Sequence, residues 1–115
     1  MAWTLYPSVT FTVDVEQKPP KLTLRLRGDL DFGSAAELGP AVRVPTRGVT
    51  RVCLDLRHLD FCDVAGLRAL DEVCARHSAA GREVRVCGAR PILRKVAALA
   101  GLFPQCLEQR QPLDQ

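Results

Sequence analysis

A strand leads directly into a helix at Leu54-Asp55-Leu56-Arg57-His58-Leu59-Asp60-Phe61-Cys62-Asp63-Val64-Ala65-Gly66-Leu67. The first part is apolar enough for a central strand, and apolar residues then recur at helical spacing. Asp63 stands at the expected N-cap and Gly81 just beyond the expected end, so we predict a helix from Asp63 to about Ala80. A helix start of this kind suits anionic or hydrogen-bonding partners, because it presents unpaired N–H groups and the positive end of the helix dipole.

The start of this helix carries no hydroxyl group. Between Asp63 and Leu70 there is no Ser, Thr or Tyr, and the nearest hydroxyls along the chain are at Thr50 and Ser78. Phosphorylation acts by adding about −1.5 to −2 charges to a hydroxyl-bearing side chain. If this loop is a regulatory surface, it offers no group on which that charge can be placed.

Period-two patterns and a crossover predict an α/β fold. Residues 9–16 and 22–27 alternate between apolar and polar, and Pro19-Pro20 lies between them, which predicts an antiparallel hairpin. A third strand at 50–56 and a fourth at 83–87 are joined by the long helix, which predicts a right-handed parallel crossover. We therefore expect a single-layer mixed β-sheet of four to five strands, packed mainly on one side with about three to four helices.

Two further helices are predicted. Ser34-Ala35-Ala36-Glu37 has the spacing of a capping box and predicts a short helix that ends before Pro45. Pro91 stands at a tolerated first helical position and Gly101 at a suitable end, so the last helix is expected between them. The segment Phe103–Leu107 is compatible with a short edge strand.

Length and composition indicate one globular domain. The chain has 115 residues, of which 47% are hydrophobic and 25% charged. We expect a single domain over 1–115, with its core at about 9–103 and a frayed tail at about 109–115. No apolar run reaches the length of a membrane span, and the first residues lack the pattern of a secretory signal. A cytoplasmic protein without a membrane partner is therefore expected.

Charge, cysteine and motif patterns argue against several functional classes. The net charge of +3 comes from dispersed arginines, and aromatic residues make up only 5%, so direct nucleic-acid binding is not expected. The five cysteines form no Cys-x-x-Cys pair and the two histidines stand alone, so no metal site is predicted. Gly-x-Gly-x-x-Gly, Walker-type and Gly-x-Ser-x-Gly motifs are also absent. We expect neither a cofactor nor an enzymatic activity.

The order of elements and two loops resemble those of STAS domains, specifically the stand-alone anti-sigma factor antagonists. Gly28-Asp29-Leu30-Asp31 resembles the acidic turn that follows the second strand in that family. The stretch 54–67 resembles the strand and the Asp-Ser-Ser-Gly loop. The resemblance extends from about Val9 to about Phe103.

This resemblance implies a protein-binding regulatory module. In the family, the antagonist binds an anti-sigma factor, usually a serine kinase, which phosphorylates a serine in the loop and thereby ends the complex. The serine pair falls at Val64 and Ala65 in this chain, and Ala65 occupies the position of the phospho-acceptor. The resemblance thus implies a module that phosphorylation at this loop cannot switch. The implied partner-binding residues are Asp29, Asp31, Cys62, Asp63, Val64, Ala65, Gly66 and Arg68.

Purely structural roles compete with partner binding at several of these positions. Capping of the helix is favoured over direct partner contact for Asp63, although both roles can hold together. Turn formation is favoured for Asp29 and Asp31. Val64 is expected to pack inward, whereas Ala65 is expected to point elsewhere and to be exposed.

Two alternative functions stay open. Cys62 stands beside a helix N-terminus, a setting that lowers the pKa of a thiol, so it is a candidate redox switch, with an inert and partly buried thiol as the favoured alternative. The chain is also compatible with a scaffold subunit that associates with itself or with other STAS proteins.

Overall fold

The computed structural model describes residues 2–5, 10–36, 38–39 and 43–101. In chain order, these residues form the following elements: β1 (Ala2–Leu5), β2 (Phe11–Lys18), β3 (Lys21–Leu30), α1 (Phe32–Ala35), β4 (Arg51–Cys62), α2 (Val64–Ala79), β5 (Glu83–Cys87) and α3 (Pro91–Leu99). The sheet has the order β1-β2-β3-β4-β5. The first two pairs of strands are antiparallel and the last two are parallel. The predicted mixed sheet with an N-terminal hairpin is therefore confirmed.

One face of this sheet forms the core against the helices. Alternate residues of each inner strand point to that face, which gives the period-two patterns seen in the sequence. The apolar stripe of α2 packs onto the same core, and Cys74 belongs to it as a small apolar side chain. The side chains that are at most 1% exposed include Phe11, Val13, Val15, Leu22, Leu24, Leu26, Leu54, Leu56, Leu67 and Leu70.

The hairpin between β2 and β3 also aligns β4. The turn contains Pro19-Pro20, whose peptide bond is cis. The carbonyl of Pro20 accepts hydrogen bonds from the backbone N–H groups of Thr50, at 2.8 Å, and Arg51, at 3.1 Å. The turn thereby places the start of β4 beside the start of β3, in parallel register.

The second half of the chain forms a parallel connection from β4 through α2 to β5, as the sequence predicts. Helix α2 ends at Ala79 and is followed by Gly81 with a positive φ of 85°, the left-handed conformation common after helices. Strand β5 and helix α3 follow, with Pro91 in the first turn of α3. The structure therefore confirms all three predicted elements. In each of them, the periodic pattern and the residues at the ends indicate the same boundaries.

Two strands differ from the sequence expectation. β1 was not predicted, since its four residues are too few to show a clear period; it is fixed on β2, where the Thr4 hydroxyl donates to Asp14 at 2.8 Å. β4 continues to Cys62 instead of ending at Leu56. Two register shifts against β3 accommodate the polar residues that interrupt the apolar pattern.

Helix α1 begins earlier than predicted. Asp31, not Ser34, is the N-cap, and the side chains of Asp31 and Ser34 form the capping box reciprocally. The prediction that the helix begins at Ser34, with a capping box between Ser34 and Glu37, is therefore wrong, because Ser34 already lies inside α1. Glu37, the rest of the predicted helix at 40–42 and the candidate strand at 103–107 lie outside the described residues.

The other face of the sheet is polar and carries a buried carboxylate. Asp55 is 3% exposed because the side chains of Arg25 and Arg57 cover it. The Arg57 guanidinium donates to Asp55 at 2.8 Å, and Arg25 lies 3.5 Å away. Burial alone raises the pKa of a carboxyl group, but hydrogen bonds from the side chain and backbone of Arg57 and the charges of both arginines hold the pKa of Asp55 below 3.8.

We predict that Asp55 contributes to the acid sensitivity of the fold. Because its folded-state pKa is lowered, its stabilisation is complete above the unfolded value of 3.8 and is lost as the pH falls through the folded value. Asp55→Asn should lower the free energy of unfolding at pH 7 by about 1–3 kcal/mol and flatten its decline in acid. Urea denaturation between pH 7 and pH 3 measures both effects. Asp60→Asn, at a carboxylate whose side chain is 71% exposed, is the matched control; equal acid slopes in wild type and Asp55→Asn would contradict this role.

Candidate partner-binding site

The parallel pairing of β3 with β4 brings the two acidic loops together. Asp29 is paired with Phe61 and Leu30 with Cys62, so both strands end at the same edge of the sheet. The loop with Asp31 and the loop with Asp63 therefore lie side by side. The structure thus unites the two motifs that the sequence presents about thirty residues apart.

Asp63 connects these loops through its two carboxylate oxygens. Oδ1 accepts a hydrogen bond from the backbone N–H of Gly66 at 2.8 Å, which caps α2. Oδ2 accepts from the backbone N–H of Phe32 at 3.0 Å, at the start of α1. The backbone N–H of Asp63 in turn donates to the carbonyl of Leu30 at 3.2 Å. The predicted cap is confirmed, and the link to α1 is an additional role that only the tertiary structure reveals.

The acidic turn is tied together by its own side chains. Oδ1 of Asp31 accepts from the backbone N–H of Ser34 at 3.0 Å, and the hydroxyl of Ser34 accepts from the backbone N–H of Asp31 at 3.0 Å. That hydroxyl also donates to the carbonyl of Asp29 at 3.0 Å. Ser34 is only 8% exposed. These bonds give Asp31 the structural role that the sequence favours for it and place Asp29 in the same hydrogen-bonded turn.

Gly66 allows α2 to pack closely against the end of β3. A Cβ atom at this position would lie 2.5 Å from the carbonyl oxygen of Leu30, 2.9 Å from its Cγ and 3.0 Å from Sγ of Cys62. The first neighbour is backbone and cannot swing aside. A glycine is therefore required here by contact, since α2 could not approach β3 as closely with any larger residue.

The exposure of the first turn of α2 differs from the sequence expectation. Val64 is 45% exposed, so the expectation that it packs inward is wrong. It is the first residue of α2, and the buried stripe of the helix begins only with Gly66 and Leu67. Ala65 is partly buried, not fully exposed.

Exposed apolar side chains surround the Asp63 loop. Phe32 is 84% exposed and Phe61 is 52% exposed. Phe61 and Val64 lie close to Asp63 in sequence, and Phe32 lies beside it because its backbone N–H donates to the Asp63 carboxylate. Arg68 is exposed one helical turn beyond Val64. We call Phe32, Phe61, Val64 and Arg68 the docking surface. Sequence reasoning missed both phenylalanines, because their exposure depends on where the two strands end.

Cys62 does not have the environment expected of a reactive thiol. Burial raises its pKa to about 12, and the neighbouring negative charge of Asp63 acts in the same direction. Its Sγ lies 3.6 Å from the carbonyl oxygen of Asp63. This environment contradicts the candidate redox switch, which requires a lowered thiol pKa, and agrees with the favoured alternative of an inert, partly buried thiol.

The described ranges contain neither a metal cluster nor a candidate membrane span. No group of three or more His, Cys, Asp or Glu side chains there could hold a metal ion. None of the helices formed by these residues has the length and apolar character that a membrane span requires.

In a comparison with known protein families, residues 12–110 match the STAS domain. The chain belongs to the STAS domain family. The match runs from the second residue of β2 through α3 and therefore includes both acidic loops.

Solved structures show the same STAS fold. The phosphorylated form of SpoIIAA, a Bacillus cell fate determinant, is 21% identical with a TM-score of 0.62, over 80% of this chain and 86% of that one. An antisigma-factor antagonist STAS domain from Rhodobacter sphaeroides is 25% identical with a TM-score of 0.61, over 70% and 88%. A sulfate transporter family protein from Wolinella succinogenes is 20% identical with a TM-score of 0.71, over 86% and 84%. The fold therefore occurs both in anti-sigma factor antagonists and in a transporter family protein.

We predict that Gly66→Ala destabilises the protein. The added methyl group would overlap the Leu30 carbonyl, and the required shift of α2 should cost about 1–3 kcal/mol, more than alanine gains in helix propensity. Gly39→Ala is the matched control, because a Cβ atom there has no neighbour within 4 Å. Chemical denaturation measures both variants. Equal stability of the Gly66 and Gly39 variants would show that α2 is not held against Leu30.

Proposed function

We propose that this chain is a non-enzymatic regulatory module that binds a protein partner through its docking surface. One observation carries this proposal. Of the five exposed large apolar side chains among the described residues, three belong to residues beside Asp63: Phe61 and Val64 are near it in sequence, and the Phe32 backbone is hydrogen-bonded to it. Clustered exposed apolar side chains are typical of interaction sites, and the nearby Arg68 supplies a charged group at their margin.

Rigid support of the surface favours this function. Asp63 holds the starts of both α2 and α1, and Asp31 with Ser34 holds the turn from β3 into α1. A surface that is already ordered loses less conformational entropy on binding, so more of the contact energy contributes to affinity. In this proposal, Asp29, Asp31, Asp63 and Gly66 position the surface, while the exposed side chains make the contacts.

The proposed partner is an anti-sigma factor or a related serine-kinase-type protein. The likeness to SpoIIAA and to the Rhodobacter antagonist supports this choice, and the position of the site at the Asp-Val-Ala-Gly loop agrees with it. We further propose that the whole chain acts as one domain in the cytoplasm.

Phosphorylation at this loop should not control the complex. Val64 and Ala65 have no hydroxyl group. The facing turn does contain a hydroxyl, at Ser34, but that side chain is buried and makes the hydrogen bonds that hold the turn. The proposed module therefore stays competent to bind where a serine-containing relative would be switched off by added negative charge.

Capture and binding experiments test the proposal. We expect the tagged chain to retain an ATPase-type kinase from native lysate, and Val64→Asp to weaken binding of the purified partner at least tenfold by placing a carboxylate in an apolar contact. Leu99→Asp is the matched control, since Leu99 is 81% exposed at the end of α3 and is not part of the docking surface. Equal loss of binding in both variants, or in neither, contradicts the docking surface.

Addition of ATP to the purified complex tests the missing switch. The complex of the unaltered chain should persist, with no phosphate on residues 63–70 by intact-mass and peptide analysis. Ala65→Ser should gain a phosphate and release the partner. Release of the unaltered chain on addition of ATP would contradict the proposal. A stable large homo-oligomer without a kinase, detected by light scattering, would instead favour the scaffold alternative.

A further inference from the structure

Two cysteines meet on the polar face of the sheet, away from the docking surface. Cys53 of β4 and Cys87 of β5 have their Sγ atoms 3.1 Å apart, and the Cys53 thiol donates toward the Cys87 sulfur. In the parallel register, Cys53 is paired with Arg85 and Asp55 with Cys87, so the two thiols are diagonal neighbours on one face. Both are partly exposed and both are free cysteines.

We propose that Cys53 and Cys87 form a redox-active dithiol, a modification site that a hydroperoxide converts into a disulfide between β4 and β5. Contact between the two sulfurs carries this inference. The sulfurs lie about 1 Å farther apart than the bond length of a disulfide, about 2.05 Å, and the diagonal register means that bond formation also needs a small shift of the β5 backbone. Cys87 is the last residue of the edge strand β5 and is followed by Gly88 with a φ of 74°. The backbone at Cys87 is therefore held by strand pairing on one side only, with the end of the strand directly after it. The proposal does not depend on the proposed function.

The surroundings assign different roles to the two thiols. The hydrogen bond from Cys53 lowers the pKa of Cys87 to about 7, despite burial and the nearby charge of Asp55, which act in the opposite direction. The same hydrogen bond and burial raise the pKa of Cys53. Lys21 lies near both thiols and favours the thiolate form. Cys87 is therefore the nucleophile near neutral pH, and Cys53 is the thiol that resolves the intermediate.

The reaction balances as a two-electron oxidation. The Cys87 thiolate attacks one oxygen of the hydroperoxide, the O–O bond breaks, and the departing oxygen takes up a proton to leave as water or an alcohol. Cys87 is then a sulfenic acid. The Cys53 sulfur attacks the Cys87 sulfur, the S–S bond forms, the S–O bond breaks, and the hydroxyl group leaves with the Cys53 proton as water. Two thiols are oxidised and one peroxide is reduced.

Trypsin cleavage after the arginines and lysines separates the five cysteines into five peptides, so any disulfide can be assigned by mass. Trypsin cleavage places Cys53 in the peptide 52–57 and Cys87 in the peptide 86–94, because the Arg90–Pro91 bond resists cleavage. Cys62, Cys74 and Cys106 fall in three other peptides, so each of the ten possible pairings of five cysteines gives a distinct linked product.

The test is treatment of the full-length reduced protein with a small excess of hydrogen peroxide, then alkylation and non-reducing peptide mapping. We expect the loss of two hydrogen atoms from the intact mass and a dominant product linking 52–57 to 86–94, which a dithiol reductant reverses. In urea, where the contact is absent, the pairings should scatter. Alkylatable Cys53 and Cys87 after oxidation, or a dominant pair that includes Cys62, Cys74 or Cys106, would overturn the proposal.

Variants separate the two thiols. In Cys53→Ala, which removes both the sulfur and the hydrogen bond that it donates to Cys87, we expect the peroxide to leave a sulfenic acid at Cys87 that a dimedone probe traps, and iodoacetamide to alkylate Cys87 about tenfold more slowly at pH 7. Cys62→Ala is the matched control and should still form the link. Unchanged alkylation of Cys87 in Cys53→Ala contradicts the assignment of nucleophile and resolving thiol. The mapping of the unaltered protein remains decisive if a variant folds poorly.

Discussion

The carboxylate of Asp63 holds together the part of the molecule to which we assign function. Its two oxygens accept N–H groups from the starts of two different helices, Gly66 in α2 and Phe32 in α1. The parallel pairing of β3 with β4 brings these groups within reach, and the absence of a side chain at Gly66 lets α2 approach Leu30. A single charged group thus fixes the geometry of two loops, because charge-assisted hydrogen bonds are stronger than neutral ones.

The core, the polar side-chain pairs and the docking surface occupy three different parts of the sheet. The helix-covered face of the sheet supplies the core. The polar face carries the ion pairs of Asp55 with Arg25 and Arg57, and the Cys53–Cys87 pair. The edge where β3 and β4 end presents the docking surface. This separation means that oxidation of the dithiol and loss of partner binding can be measured independently. It also explains how a STAS domain can lack the loop serines and keep the fold, since neither Val64 nor Ala65 contributes to the core.

Sequence alone predicted the elements with strong, consistent patterns. The hairpin, α2, β5 and α3 each combine a clear period with a turn or cap signal, and all four were placed correctly. The start of α1 was misplaced because Asp31-x-x-Ser34 and Ser34-x-x-Glu37 both have capping-box spacing, and local sequence cannot choose between them.

Properties that depend on tertiary contacts were beyond the sequence. The exposure of Phe32 and Phe61 follows from where two neighbouring strands end. The contact between Cys53 and Cys87 depends on the register of two parallel strands 34 residues apart. For Cys62, the sequence left a reactive and an inert thiol open and favoured the inert, partly buried one, and the burial that raises its pKa agrees with the favoured alternative. Sequence reasoning therefore identified the two loops that the structure brings together, but not the exposure of the side chains beside them.

Amide hydrogen exchange in Asp63→Ala tests the central role of Asp63 most directly. Loss of the carboxylate should accelerate exchange at the amides of Phe32 and Gly66 together, since both donate to it. Asp60→Ala, which removes an exposed carboxylate from the same stretch of chain, should leave both amides as protected as in the wild type. Faster exchange at Gly66 with unchanged protection at Phe32 would contradict the account, because Asp63 would then be only a helix cap.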